Sequence, residues 1–347
     1  ENMVNAVLTD SESVFDTEVT PDSLGLDAGR FDVRVYTAGT QQELIERMRD
    51  AEIVLCNRAR IGAAEMDAAP RLRMIAVFAT GYDKIDIAAA RERGIAVCNV
   101  PGYSTEAVAQ HTLSLMLALV DRITEAADAP VGESALSHLP LPRYCLSGKR
   151  LGIIGLGAIG SRVAQLASAF GMKVYAAEHL GAVSSVGSSP KSGVTSSVGG
   201  AVEVLSPNVG AAERDGGISR LPLPQLLAES DIISLHCPLT EQSRHIINAD
   251  AVAHMKDGSM LINTARGALV DETALAAALR SGKLAGAAAD VTETEPTPAD
   301  CPLRTAPNCI LTPHVAWACG DARRALMTEV RENIEAFLRG ERRNRVD

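Results

Sequence analysis

Aromatic residues are scarce in this chain: they make up 3% of its 347 residues, and only one of them is tryptophan. Apolar residues nevertheless reach 46%, so the cores must be built mainly from Ala, Val, Leu and Ile. The sequence therefore contains enough apolar material for buried cores, and its length suggests about two domains.

An excess of basic residues and a long apolar run are also missing. The formal net charge of −10 argues against binding to nucleic acid or to anionic membrane surfaces. The longest apolar run, near Leu115–Val120, is far shorter than the roughly 20 residues that a membrane-spanning helix needs. No secretory signal is visible. We expect a cytoplasmic protein without a nucleic-acid or membrane partner.

Paired cysteine motifs are missing as well. The chain has seven cysteines, an odd number, and no CxxC spacing. Reduced thiols in a cytoplasmic protein fit this usage best. Cys301, Cys309 and Cys319 are close enough in sequence to suggest metal binding, but no other feature supports it. The sequence therefore predicts no metal site.

Short apolar segments alternate with helical segments almost throughout the chain. This alternation predicts an α/β fold with parallel sheets and helices on both faces of each sheet. We expect two Rossmann-like, doubly wound domains, of which the first is flavodoxin-like and discontinuous. Residues 1–101 and 319–347 would form the first domain, and residues 102–318 the second. The predicted strands are Asn5–Leu8, Val33–Tyr36, Ile53–Cys56, Met74–Phe78 and Ala96–Val100 in the first domain, and Leu151–Ile154, Lys173–Ala177, Ile232–His236, Met260–Asn263, Ala285–Val291 and Cys309–Thr312 in the second.

Two further segments stand out. Thr105–Ala127 reads as one long helix that is apolar on most sides and must therefore be covered. We expect it to lie between domains and to form a homodimer interface within residues 104–127. The stretch 181–217 is rich in Ser, Gly and Val, has no helical period, and is predicted to be a surface insertion.

A glycine-rich turn follows the strand that begins the second domain. Gly155 would permit a tight turn, Gly157 would let the backbone approach a pyrophosphate, and Gly160 would let the next helix pack on its strand. Glu178, which ends the following strand, could accept hydrogen bonds from an adenosine ribose and would repel a 2′-phosphate. This context predicts that the second domain binds a dinucleotide, with NAD favoured over NADP, and that the first is the substrate-binding domain.

Three polar clusters end successive strands downstream of this turn, at Asn263–Gly267, Asp290–Pro296 and Thr312–His314. Arg266 could hold a carboxylate in a bidentate grip and polarise a ketone. His314 could exchange a proton with the ketone oxygen, and a nearby Glu295 would favour its charged form. Asp290 could accept a hydrogen bond from the nicotinamide carboxamide. The pattern indicates hydride exchange at a 2-keto acid. The other histidines, His111, His236, His245 and His254, are interpreted as packing or surface residues.

Several longer motifs resemble the D-isomer-specific 2-hydroxyacid dehydrogenase family over almost the whole chain. They are Ala79–Asp86, Ala89–Thr105, the glycine turn, Ser230–Thr240, Asn263–Glu272 and Pro313–Trp317. The resemblance is strongest to the glycerate dehydrogenase, or hydroxypyruvate reductase, branch. It implies that Arg266, Glu295 and His314 are catalytic and that the backbone N–H groups of Ala79, Thr80 and Gly81 receive the substrate carboxylate. It also implies an NAD site that includes Thr80, Ala158, Ile159, Glu178, Cys237, Thr264 and Asp290.

Rival interpretations differ in substrate or in class. Glyoxylate, pyruvate and 3-phosphohydroxypyruvate are close alternatives to hydroxypyruvate, and the last of these would make the protein a phosphoglycerate dehydrogenase. Corepressors that sense NAD(H) share this fold, so a binding scaffold is an alternative that fold alone does not exclude.

Overall fold

The structure is a computed structural model, and it describes residues 3–15, 19–20, 22–127, 143–178, 214–215 and 217–347. The chain divides into two compact units. The first comprises Glu1–Ala107 and Trp317–Asp347, and the second comprises Val108–Ala316. Most of the predicted Ser/Gly-rich insertion lies outside the described residues.

Five strands form the sheet of the first unit. They are β1 (Val4–Leu8), β2 (Phe31–Val35), β3 (Ile53–Cys56), β4 (Met74–Val77) and β5 (Ala96–Cys98). All neighbours are parallel, in the order β2-β1-β3-β4-β5. This is the flavodoxin-like order.

Both faces of the first sheet are covered by apolar side chains. Along β1, Ala6 and Leu8 join one buried cluster, and Val7 joins the cluster on the opposite face. The helix Gly320–Leu338 contributes Leu326 and Val330 to the first of these clusters. Such two-sided burial explains why β3 and β4 are continuous apolar runs without polar alternation.

Eight strands form the sheet of the second unit. They are β6 (Arg150–Ile154), β7 (Lys173–Ala177), β8 (Arg214–Asp215), β9 (Ile218–Leu221), β10 (Ile232–Leu235), β11 (Ser259–Asn263), β12 (Leu284–Ala289) and β13 (Cys309–Leu311). Their order is β13-β12-β11-β10-β6-β7-β9-β8, and only β8 is antiparallel to its neighbour. The order from β9 to β12 is that of a Rossmann fold, so the predicted α/β architecture with two parallel sheets is confirmed.

Helices connect these strands in both units. The α-helices are Gln41–Met48, Ala63–Asp67, Ile87–Glu92, Thr105–Asp121, Ile123–Ala127, Ala158–Ala169, Leu223–Glu229, Ala249–His254, Glu272–Ser281 and Gly320–Leu338. Short 3₁₀ turns lie at Ser11–Ser13, Asp22–Leu24, Gly267–Leu269 and Pro302–Thr305. No helix in the described parts of the chain is both long and apolar enough to cross a membrane.

The structure corrects the prediction at one helix and at one strand. The helix expected over Thr105–Ala127 ends at Asp121, because Arg122 adopts a left-handed backbone conformation with φ of 50° before a separate turn of helix begins. Strand β9 was not predicted, and it lies against the end of β7. Arg220 within β9 is buried and donates through Nη1 to the carbonyl of Ala177 at 3.0 Å, which attaches the strand to its neighbour.

Candidate active site

The glycine turn after β6 is closed to side chains at two of its three glycines. Gly155 has a φ of 102°, and a Cβ there would lie 2.4 Å from the backbone nitrogen of Cys237. A Cβ on Gly160 would lie 2.1 Å from the carbonyl oxygen of Gly155. Only glycine fits at both positions, because one needs the left-handed region and the other packs the helix directly on the turn.

Gly157, by contrast, faces open space. A Cβ built there meets no described heavy atom within 4 Å. Gly157 is the N-cap of the helix Ala158–Ala169, whose first residues Ala158 and Ile159 carry N–H groups at the helix start. The turn therefore combines an unobstructed backbone with the positive end of a helix dipole. These two features suit the pyrophosphate of a dinucleotide.

The other residues expected around NAD end neighbouring strands. Glu178 follows β7, is exposed, and donates its N–H to Leu221 at 2.9 Å. Cys237 lies two residues beyond β10, and burial raises the pKa of its thiol to about 11, so it adds no charge near neutral pH. Thr264 follows β11, and its hydroxyl lies 2.9 Å from that of Thr112.

Arg266 lies on a turn whose shape is set by Asn263. The Asn263 amide donates to the carbonyl of Arg266 at 2.8 Å, and its oxygen accepts from the N–H of Ala265 at 3.0 Å. Gly267 lies so close to the loop after β12 that a Cβ would be 1.9 Å from the carbonyl carbon of Thr292. The turn bearing Arg266 is therefore packed against the loop that leads to Glu295.

His314 and Glu295 form a close pair. The Nδ1 atom of His314 lies 2.7 Å from Oε2 of Glu295, and the two side chains are 32% and 18% exposed. A carboxylate is an acceptor only, so this contact places a proton on Nδ1 and leaves Nε2 as the ring nitrogen that can exchange a proton with a ligand. The pair has the orientation of a carboxylate that holds an imidazole as an acid–base group.

Asp290 is buried beneath this pair. Its Oδ1 accepts from the Thr312 hydroxyl at 2.5 Å and from the N–H of Val315 at 2.9 Å, while Oδ2 accepts from Ala316 at 2.8 Å. Its backbone carbonyl accepts from the N–H of His314 at 2.7 Å. The expected bond to a nicotinamide carboxamide stays a prediction. The structure adds that this carboxylate also holds the turn that carries His314.

The predicted carboxylate loop belongs to the first unit, where it follows β4. The carbonyl of Ala79 accepts from Val100 at 2.9 Å, and that of Thr80 accepts from the Asn99 side chain at 2.7 Å. The Thr80 hydroxyl donates to the carbonyl of Val100 at 2.8 Å. With these carbonyl groups engaged, the N–H groups of residues 79–81 are the donors that the loop can offer to an anion.

The remaining histidines differ in their surroundings. His236 contacts Ser234, His245 contacts Glu293, and His254 contacts a carbonyl of its own helix. The Nε2 atom of His111, which was interpreted from the sequence as a packing or surface residue, lies 3.1 Å from the Thr312 hydroxyl. In the described ranges no group of three or more His, Cys, Asp or Glu side chains is arranged to hold a metal ion.

Comparison with known proteins gives the family. The family description "D-isomer specific 2-hydroxyacid dehydrogenase, NAD binding domain" matches residues 113–192 and 186–316. The chain belongs to this family. It is an oxidoreductase that acts on the CH–OH group of 2-hydroxyacids, and NAD is its cofactor.

Individual family members match over most of their length. The hydroxypyruvate reductase of Blautia hydrogenotrophica is 36% identical over 305 residues, which cover 86% of each chain. The glycerate dehydrogenase of Methylorubrum extorquens is 36% identical over 315 residues, which cover 89% of each chain. A similar solved structure is that of D-lactate dehydrogenase from Aquifex aeolicus, complexed with NAD and lactic acid. Its TM-score is 0.77 at 28% identity, and the match covers 97% of the present chain and 96% of the Aquifex chain.

Proposed function

We propose that this dehydrogenase interconverts a small 2-keto acid and its D-2-hydroxy acid with NADH, and that hydroxypyruvate and D-glycerate are the favoured pair. The observation that carries the proposal is the 2.7 Å contact between His314 and Glu295 on the loops that follow β12 and β13. These loops leave the carboxyl ends of parallel strands, where ligands bind in open α/β sheets.

Each residue has a separate task in carbonyl reduction. When bound, NADH supplies a hydride to the carbonyl carbon. His314, as imidazolium, gives a proton to the carbonyl oxygen and takes it back in the reverse reaction. Glu295 favours that charged form and fixes the ring through Nδ1. Arg266 would hold the substrate carboxylate and polarise the ketone.

The anion-binding loop supports a substrate with a carboxylate. We infer that the N–H groups of Ala79, Thr80 and Gly81 receive this carboxylate in the first unit. The carbonyl groups of Ala79 and Thr80 and the Thr80 hydroxyl are hydrogen-bonded to Asn99 and Val100. These bonds hold the loop in place before any ligand binds. Preorganised donors of this kind avoid the cost of ordering a loop on binding.

Cofactor preference follows from one exposed carboxylate. We propose that Glu178 accepts from the adenosine ribose hydroxyls and repels the 2′-phosphate of NADP, since it ends the strand next to the glycine turn. NAD is then the preferred dinucleotide, with Gly155, Gly157, Ala158, Ile159 and Gly160 around its pyrophosphate.

The choice among keto acids depends on groups outside the catalytic set. A phosphorylated substrate would need additional cations, and Arg58, Arg60 and Lys84 are the candidates in the first unit. The N–H of Arg58 donates to the carboxylate of Asp10, a buried acid. Hydroxypyruvate is proposed because the motifs of the chain resemble those of the glycerate dehydrogenase branch most strongly.

The test is NADH oxidation with a panel of hydroxypyruvate, glyoxylate, pyruvate and 3-phosphohydroxypyruvate, repeated with NADPH. We expect the highest kcat/KM with hydroxypyruvate and NADH. His314→Ala should lower it by about 10²–10⁴-fold, the range for loss of a general acid. Arg266→Ala should also lower it, because the substrate carboxylate loses its bidentate partner. Arg324→Ala and His254→Ala, both exposed, are matched controls that should leave it unchanged.

The outcomes separate the alternatives. Unchanged turnover in both catalytic variants would contradict the assigned roles, and a preference for 3-phosphohydroxypyruvate would make the protein a phosphoglycerate dehydrogenase. Tight NADH binding without reduction of any keto acid would instead favour an NAD(H)-sensing scaffold.

A further inference from the structure

His111 makes a contact that its place in the sequence does not suggest. It lies on the helix Thr105–Asp121, yet its Nε2 is 3.1 Å from Oγ1 of Thr312, 201 positions away. Thr312 follows β13 and begins the turn that carries His314. The contact therefore joins a helix to the segment that presents the proposed acid–base group.

The direction of this hydrogen bond follows from the partners of Thr312. Its hydroxyl has a single proton, and the 2.5 Å contact with Oδ1 of Asp290 uses it, because an ionised carboxylate only accepts. The Thr312 oxygen can then only accept from His111. The network thus assigns a proton to Nε2 of His111, whatever the charge of the ring.

The same network holds the His314 turn. Asp290, with a side chain only 1% exposed, accepts from the N–H groups of Val315 and Ala316 as well as from Thr312. His314 itself has a φ of 57°, a left-handed conformation that a non-glycine residue keeps only when its surroundings fix it. The bonds to Asp290 are the contacts that fix it here.

We propose that His111 is a positioning residue for His314. By donating to Thr312, it keeps the threonine hydroxyl directed at Asp290 and so keeps the turn 312–316 in the conformation in which His314 meets Glu295. This inference rests on the proposed function of His314. A packing role alone would need only the volume of His111, whereas the positioning role needs its N–H group.

The matched variants separate volume from hydrogen bonding. His111→Leu keeps most of the volume and removes the donor, while His111→Gln keeps an N–H at similar reach. We expect His111→Leu to lower kcat for hydroxypyruvate by about tenfold, as small misplacements of catalytic groups do. The KM for hydroxypyruvate and the Kd for NADH should change by less than about twofold. His111→Gln should recover most of kcat, and His254→Leu, an exposed histidine changed in the same way, should match the wild type.

A double-mutant cycle tests whether His111 acts through Thr312. Thr312→Val removes the shared hydroxyl, so adding His111→Leu in that background should cause no further loss of kcat. Wild-type kcat in His111→Leu, a loss in His111→Gln equal to that in His111→Leu, or additive losses in the double variant would each overturn the proposal.

A measurement that needs no turnover keeps the proposal independent of the reaction. Long-range ¹H–¹⁵N spectra of the wild-type protein, with the His111 signals identified by their loss in His111→Gln, report the ring tautomer. We expect a proton on Nε2, and a ring protonated on Nδ1 alone would overturn the proposal. If the wild type reduces no keto acid, the proposed function fails, but this spectrum still decides how His111 is bonded.

Discussion

His236 shows how burial changes the behaviour of a single residue. It directly follows β10, its Nε2 lies 2.8 Å from the hydroxyl of Ser234, and its Nδ1 is buried without a hydrogen-bond partner among the described residues. Burial lowers its pKa from 6.5 to about 4. The ring is therefore neutral in the folded protein at neutral pH.

This lowered pKa predicts a loss of stability in mild acid. Between about pH 6.5 and 4 the unfolded chain binds a proton at His236 that the folded protein does not, so the free energy of unfolding falls as the pH falls. The slope should be a fraction of about 1.4 kcal/mol per pH unit, since the residue keeps some exposed surface. Urea unfolding at pH 7.5 and 5 would measure it.

His236→Gln keeps a donor for Ser234 but does not titrate, so its unfolding free energy should depend less on pH than that of the wild type. His254→Gln, which removes an exposed histidine, is the matched control and should behave like the wild type. Equal pH dependence in wild type and His236→Gln would refute the argument.

Some site residues could be predicted from sequence and others could not. Arg266, Glu295 and His314 each follow a strand of a parallel sheet, and the carboxyl ends of such strands share one edge, so their placement at that edge could be anticipated. The bonds that Asp290 makes to the 312–316 turn could not, because they depend on the left-handed conformation of His314. The contact of His111 joins segments far apart in sequence, and no local pattern marks it.

The glycine turn is the clearest feature at the scale of secondary-structure elements. Its three glycines have different reasons to lack a side chain: Gly155 and Gly160 are sterically closed, and Gly157 is open. Alanine at position 160 should therefore mainly lower the stability of the fold, whereas alanine at position 157 should mainly weaken dinucleotide binding.

We expect Gly160→Ala to lower the thermal midpoint, because its Cβ would overlap the Gly155 carbonyl and force the helix from its strand, at a cost of about 1–3 kcal/mol.

Gly157→Ala should keep the wild-type midpoint but weaken NADH binding by about tenfold or more, since the methyl group would occupy the space through which the pyrophosphate approaches the backbone. Differential scanning calorimetry and fluorescence titration would measure the two effects. Equal NADH affinity in Gly157→Ala and wild type would place the pyrophosphate elsewhere.

Elements that their own sequence determines were predicted more accurately than elements that form through contacts with distant segments. Strands β3, β4 and β5 begin at their predicted starts, since fully buried strands are continuous apolar runs. β9 contains Ser219 and Arg220 and forms by pairing with β7, a contact that its own sequence does not signal. The end of the long helix before Arg122 was also not predicted. Glycine is the usual left-handed residue at a helix end, so an arginine in that conformation cannot be recognised from the sequence.

At the scale of the whole molecule, the helix Thr105–Asp121 is the candidate interface between copies of the chain. Eight of its 17 residues are buried, but Leu117 is only half-buried on a face that also presents the exposed Ser114. We propose that this face forms the homodimer contact. Light scattering after gel filtration should give twice the 36.5 kDa mass of one chain.

Leu117→Glu should reduce that mass to one chain while leaving the helical circular dichroism unchanged, because a charge at the centre of an interface is left unpaired. A wild-type mass of one chain at micromolar concentration would refute the dimer.

The division of the chain into two units also belongs to this scale. The first unit is built from both ends of the chain. The apolar stripe of the last helix is the feature of the sequence that predicts this, because such a stripe must pack on another element, and it packs in the core of the first unit. The assignment of substrate binding to the first unit stays a prediction. It depends on the loop at Ala79–Gly81.

We propose that His314, held by Glu295, exchanges the proton with the substrate oxygen. The most direct measurement is the pH dependence of kcat/KM for hydroxypyruvate reduction and D-glycerate oxidation in wild type, Glu295→Gln and His314→Ala. In the wild type, reduction should slow and oxidation should accelerate as the pH rises, because reduction consumes a proton from the imidazolium and oxidation needs the neutral ring. Glu295→Gln should lower kcat/KM for reduction, because the imidazolium loses its carboxylate partner, and His314→Ala should abolish the opposed pH dependence of the two directions. The same opposed pH dependence in His314→Ala as in the wild type would contradict this role.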